Sequence, residues 1–513
     1  MITRVLASTD SLIFETDTPG LSLTERVPVP DGRVLSRCEI KAENGKAVLP
    51  RFDGSRDRLL SRFETDEGEV RFVQDFVPGA SENDYPYPQP PCIKAMSCPY
   101  KDDIDRLGVH QALYNVNLPA LMTLTPSKDT ISYRFGGSEY YFRKDRVEEI
   151  DEFMISSHEN GMLVTLILLN SPHMFASLNE KALLDKVIHP RYEKNARDAF
   201  LSAFDMVREE GQSFFGAFAE FLAERYSRAD ARYGRALGMI VSNEINSSCV
   251  WNNCGETDVT EMCEEYTRAM RIAWLLGRKH YASFRVYVSL DQFFNDSYRP
   301  AEPLHSYKGR DVLENIAANC LREGNFGWGV AYHPYPEDLN YPDFWNDRAP
   351  RFDFKTPKIT FKNMEVLPAF LSRDEFLYEG TQRRIIFSEQ GFNSQSGALK
   401  ELTEKQAAAA YCLAYLKARN IPTLDLFTHH SYIDNPHEFG LNLGIRRYDA
   451  DREDHRGEPK PIFGTVCDMD TERESERVRI SRDFIGHELF DFLLHPSVNT
   501  DDAEDDTSVD FGN

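Results

Sequence analysis

The feature that most constrains this chain is an alternation that sets in near residue 105, where short apolar runs are each followed by a longer stretch with helical spacing. A strand that is apolar throughout must be covered on both faces, and helices crossing back over a parallel sheet supply that cover. The runs are His110 to Asn117, Gly161 to Leu169, Ala199 to Met206, Leu237 to Glu244, Arg285 to Leu290, Gly327 to His333, Arg384 to Glu389 and Pro422 to His429. Ala199 to Met206 carries the weakest strand pattern of the eight. Helices are expected between the runs, among them Gly211 to Tyr226 and Thr403 to Arg419, with a last one from Ile480 to Leu494. Eight strand-helix units close on themselves, so the expected fold class is α/β, a (β/α)8 barrel. An open, doubly wound sheet is the alternative.

What precedes the alternation has a different texture. Extended segments are broken by turn signals at Thr18-Pro19-Gly20, Pro30-Asp31-Gly32 and Asp53-Gly54, and a Pro-rich run, Tyr85 to Pro91, follows them. The expected organisation is a β-rich extension with its linker over residues 1–95, the barrel over 96–495, and an acidic, disordered tail over 496–513. The 513 residues suffice for one large barrel with an accessory piece.

Charge narrows the partners. The chain holds 83 acidic against 59 basic residues, a formal net charge of -24, and so lacks the basic surface that phosphate backbones require; nucleic acid is not an expected ligand. Nine cysteines scattered singly do not form a disulfide framework. Cys249, Cys254 and Cys263 lie close in sequence, but neither a CxxC pair nor a His at zinc spacing goes with them, so no metal and no cofactor are expected. The start, Met1 to Asp10, mixes polar residues in too early for a signal core, and no run reaches membrane-spanning length. The expectation is a cytoplasmic protein or a mature secreted form, with no membrane partner.

In a barrel of this kind the chemistry gathers at the C-terminal ends of the strands, so polar residues that end an apolar run are the first candidates. Three runs end this way: in Asn243-Glu244, in His333-Pro334-Tyr335 and in Glu389-Gln390-Gly391. Two glutamates three units apart could each cap a helix or pair with a lysine. They also match what glycoside hydrolysis needs, one carboxyl to protonate the leaving oxygen and one to attack or to activate water.

In Ser242-Asn243-Glu244 and Phe387-Ser388-Glu389 the chain resembles the large clan of retaining (β/α)8 glycoside hydrolases, over roughly residues 105 to 495. In that clan the acid/base follows an asparagine at the end of strand four and the nucleophile ends strand seven. The resemblance implies that Glu244 is the acid/base, Glu389 the nucleophile, and Asn243 a partner of the sugar 2-hydroxyl; it places His333 and Tyr335 against the nucleophile or the substrate. Asn115, Asn117, Asn170 and His430 are candidates to line the cleft, each equally readable as a turn former or a structural polar group. Trp251 and Trp345 are candidate platforms for sugar rings, with loop packing as the rival reading. The run Phe427 to Tyr432 departs from the clan, which often has a tryptophan there. The expected function is retaining hydrolysis of O-glycosidic bonds in a poly- or oligosaccharide; the alternatives are a transglycosylase using the same glutamates, an inverting hydrolase, and a non-catalytic carbohydrate-binding barrel. A metal-dependent barrel hydrolase would want an early His-x-His, which the first run does not contain.

Overall fold

The computed structural model describes residues 1–178, 180–196 and 198–501. Eight parallel strands close into a barrel in the order Lys94–Ala95, Gln111–Asn117, Leu163–Leu169, Ala236–Val241, Arg285–Leu290, Trp328–Tyr332, Ile385–Phe387 and Leu424–Thr428. The seam is closed by the shortest strand, since Ala95 pairs with Gln111 on one side and with Thr428 on the other. All six residues of Ala236–Val241 and all five of Trp328–Tyr332 are buried, which is why these strands read as unbroken apolar runs.

The inward faces share an apolar layer. Ala95, Leu113, Ile240, Tyr287, Ala331, Ile386 and Leu426 pack together with Ile167 against them, one residue from each of the eight strands. The outward faces meet the helices, among them Glu209–Tyr226, whose Phe215 and Phe218 are fully enclosed, and Val259–His280. The latter helix is well specified at both ends: the Asp258 side chain accepts the Glu261 N–H, and Arg278, Lys279 and His280 occupy the last turn, where the helix dipole favours cations.

Two expectations about the strands are corrected. The first barrel strand is Lys94–Ala95, directly after the Pro-rich run, so the expected strands one and two are the second and third of the barrel. Two residues are too few to show a period. Ala199 to Met206 is not a barrel strand; it lies in the long connection after the third strand, and its pairing is limited to isolated bridges, Ile188 with Phe204 and Ser202 with Asn253. Its apolar residues are buried because the connection tucks under the following helix, where the Phe204 and Phe215 rings sit 4.5 Å apart. The expected last helix is two, Glu474–Ile485 and His487–Leu494, divided by Gly486 at φ 103°.

Residues before the barrel form an eight-stranded sheet running from Asp75–Phe76 through Ile2–Ala7, Ser11–Thr16, Lys46–Pro50, Val34–Glu43, Gly20–Arg26 and Arg62–Thr65 to Val70–Arg71. It is antiparallel except where Ile2–Ala7 meets Asp75–Phe76. The sheet packs on the outside of the barrel, with Asp75 in an ion pair to Arg278 and the Trp274 indole N–H donating to the Gln74 carbonyl. Of the expected acidic tail, residues 502–513 lie outside the described residues.

The ends of the seventh and eighth strands approach so closely that Gly391 has no room for a side chain: a Cβ there would stand 2.1 Å from the His430 carbonyl oxygen. The His430 N–H donates to the Gln390 carbonyl at 2.8 Å across the same gap. Gly391→Ala is expected to lower folding stability by about 1–3 kcal/mol, read from the urea midpoint; an unchanged midpoint would mean that these strand ends part at no cost.

Candidate active site

The fourth, sixth and seventh strands deliver Glu244, His333 and Glu389 to one mouth of the barrel, where a ligand atom from each lies within 4.8 Å of the others. The His333 imidazole joins them. Its Nδ1 is 2.7 Å from Glu244 Oε1, and its Nε2 is 3.0 Å from Oγ of Ser388, the neighbour of Glu389. Tyr335, also from the sixth strand's end, donates its hydroxyl to Glu389 Oε1 at 3.1 Å. Glu244 is held from behind, its backbone N–H donating to Ser289 Oγ at 2.9 Å.

This mouth opens into a cavity of about 1720 Å³ lined by Asn115, Asn243, Glu244, Trp251, His333, Tyr335, Glu389 and His430, among others. His430 leans on Glu438, Nε2 to Oε1 at 3.2 Å. Trp251 stacks on Phe200, ring centres 5.5 Å apart at 26°.

Three of the sequence candidates are placed elsewhere. Asn117 staples two strand ends together, giving its amide protons to the carbonyls of Ser171 and Met174 while its oxygen accepts the Ser171 N–H. Asn170 is enclosed and donates to the carbonyls of Val187 and Ala203. Trp345 is buried edge-on against Phe344 and Phe484. None of the three lines the cavity. An asparagine at a strand end answers an unmet backbone group as readily as a ligand, and the sequence does not separate the two.

Sequence reasoning missed Asp291, which ends the fifth strand's run and lines the cavity beside Glu244. The same signal that singled out strands four and seven, a carboxylate closing an apolar run, was present in Val288-Ser289-Leu290-Asp291. It also missed the aromatic rim, Phe293, Tyr298, Tyr341 and Phe439, which stands on loops without periodicity.

The spacing of Glu244, His333 and Glu389 is one a metal ion could use. Their donor atoms are already matched to one another: both imidazole nitrogens are occupied, and Tyr335 holds one oxygen of Glu389. Cys249, Cys254 and Cys263 are buried free thiols, and burial pushes Cys249 up to about 12 and Cys254 up to about 11.

Electrostatics at the mouth centre on His333. Burial, the largest influence, disfavours its cation, but the charge of Glu389, the hydrogen bond to Glu244 and the charge of Glu244 outweigh it, and the pKa stands above 6.5. A group raised in the folded state stabilises the fold fully below its unfolded pKa, and that contribution fades as pH rises through the folded value. The stability advantage of the wild type over His333→Gln is therefore expected to be larger near pH 6 than near pH 9 in denaturant titrations; an equal or larger advantage at the higher pH would refute the reading.

No curated protein matches this chain. Among solved structures it is similar to a hyperthermophilic β-glucosidase from Pyrococcus furiosus, at 14% identity over 75% of this chain and 87% of that one, with a TM-score of 0.46. It is also similar to GH5_18 from Streptomyces cattleya in complex with GlcNAc, at 16% identity, 82% of each chain and a TM-score of 0.43. A family 1 β-glucosidase from Thermotoga maritima matches at 12% identity, 71% of this chain and 84% of that one, with a TM-score of 0.42. Likeness at these scores carries no functional argument. A family model, in contrast, matches residues 86–491, most of the chain and the whole of the barrel through Thr428, and the protein belongs to that family, a family of unknown function (DUF5722).

Proposed function

We propose that this protein is a retaining glycoside hydrolase in which Glu389 is the nucleophile and Glu244 the acid/base. The observation that carries the reading is the approach of two carboxylates, from strands four and seven, to within 4.8 Å at the floor of an open cavity. Retaining enzymes hold the pair about 5–5.5 Å apart, whereas inverting ones need about 6.5–9.5 Å to admit a water between sugar and base.

The hydrogen bonds suit these roles. Tyr335 donates to Oε1 of Glu389, which leaves Oε2 for the anomeric carbon. Glu244 protonates the departing oxygen as the C–O bond breaks, and the sugar is left bonded to Glu389. Water then attacks the same carbon from the vacated side, Glu244 takes its proton, and two inversions restore the starting configuration. Asn243 and Asn115 line the cavity and offer amides to sugar hydroxyls.

The cavity supports an oligosaccharide more than a single sugar, since small-ligand pockets run to about 300–1,000 Å³ and this one is near 1720 Å³. Aromatic rings stand around its rim on different loops: Phe200 and Trp251 on one side of the fourth strand's turn, then Tyr298, Tyr341 and Phe439. Phe439, which meets the Phe200 ring edge-on, is still 74% exposed and Tyr341 50%, and flat apolar faces of that kind suit the C–H faces of sugars.

Glu244→Gln is expected to cost roughly 10²–10⁴-fold in turnover of an oligosaccharide, and Glu389→Gln at least as much. In the truncated variants azide should restore activity differently: through Glu389→Gly it yields the inverted glycosyl azide, through Glu244→Ala the retained one. A panel of 4-nitrophenyl glycosides and polysaccharides supplies the substrates. Full activity in either glutamine variant, on a substrate the wild type cleaves, rejects the assignment.

A further inference from the structure

The turn that carries Glu244 leaves the fourth strand in a shape that L-residues resist. Ser242 has φ 63° and Glu244 φ 36°, both in the left-handed region. Such residues are strained and persist only where the surroundings over-determine them. Ser242 is held by the Leu168 carbonyl and by Asn252, and from Glu244 onward the determinant is the end of the neighbouring fifth strand.

Two residues there do the holding. Ser289, fully buried, accepts the Glu244 N–H. Asp291, 7% exposed, accepts hydrogen bonds from Asn246 Nδ2 and Ser247 Oγ, and its own N–H donates to Asn246 Oδ1 at 3.0 Å. The Phe293 N–H, donating to Asp291 Oδ1 at 2.9 Å, fixes the carboxylate in place. The segment immediately after Glu244 is thus clasped reciprocally from the next strand.

A buried carboxylate is a costly brace when an asparagine would supply similar hydrogen bonds. This one faces Glu244 from the fourth strand's turn, His333 and Tyr332 from the sixth strand and Cys249 from the loop between, and it borders the cavity. Burial first, and the nearby charge of Glu244 second, lift it to about 7. Its placement makes sense as part of the geometry of proton delivery.

We propose that Asp291 is a positioning residue: through Asn246 and Ser247 it holds the left-handed turn that aims Glu244 at the leaving-group oxygen. The proposal rests on the assignment of Glu244 as acid/base. It predicts a defect confined to substrates that need a proton to depart.

The test compares kcat/KM on a 2,4-dinitrophenyl glycoside, whose leaving group departs unprotonated, with that on the methyl glycoside of the same sugar, chosen as one the wild type hydrolyses. Asp291→Ala should lose about 100-fold on the methyl glycoside and less than about fivefold on the dinitrophenyl one, in keeping with the share of general acid catalysis. Retained dinitrophenyl turnover also shows that the variant folds. Asp291→Asn keeps an oxygen for Asn246 and an amide for Ser247, and should recover most of the methyl glycoside rate; Ser289→Ala, which loosens the turn from its other side, should repeat the alanine pattern more weakly. Equal losses on both substrates, or no loss on either, would overturn the proposal. Glu244→Gln on the same pair separates the two failures: if it lacks the leaving-group pattern, the assignment of Glu244 falls, and if it alone shows the pattern, only the clasp does.

Discussion

The mouth of this barrel depends on one imidazole between two carboxylates. The three side chains bring an atom each to within 4.8 Å of one another. Burial disfavours the cation of His333, which is 2% exposed, but the charge of Glu389 and the hydrogen bond to Glu244 outweigh it and raise the imidazole's pKa. Ser388 and Tyr335 complete the arrangement, so the oxygens not engaged by a neighbour are those free to face a ligand.

Barrel closure makes such a meeting possible. Residues ending strands four, six and seven are far apart in sequence, yet eight parallel strands with a shared inner layer bring all their C-terminal ends to a single rim. The rim is then tuned locally. Gly391 permits the seventh and eighth strand ends to approach, and the fifth strand holds the left-handed turn at Glu244. These are positions where the backbone departs from what the barrel alone would ask, which is where local rules are expected to give way to a site.

Much of this was legible in the residues. Apolar runs of strand length, separated by helical stretches, gave the barrel, and the polar residues that ended them pointed to Asn243, Glu244, His333, Tyr335 and Glu389. The signal failed where a strand was too short to have a period, at Lys94–Ala95, and where burial arose without pleating, at Ala199 to Met206. It failed again at Asn117, Asn170 and Trp345, because a side chain that satisfies a loop's backbone or fills a gap has the same identity as one that faces a ligand. Asp291 shows the opposite error: the signal was present and was passed over.

The sequence by itself determined the class of fold, since alternating apolar and amphipathic segments can bury their surfaces in few ways, and it determined which residue types stand at the strand ends. Only the tertiary structure decided which of those ends meet, that His333 bridges Glu244 and Ser388, that Tyr335 reaches Glu389, and that Asp291 grips the neighbouring turn. The reason is physical. Periodicity records how each segment faces a core, a property of neighbours in the chain, while hydrogen bonds across the barrel's mouth depend on strand register and loop path, which are set by packing among residues hundreds of positions apart.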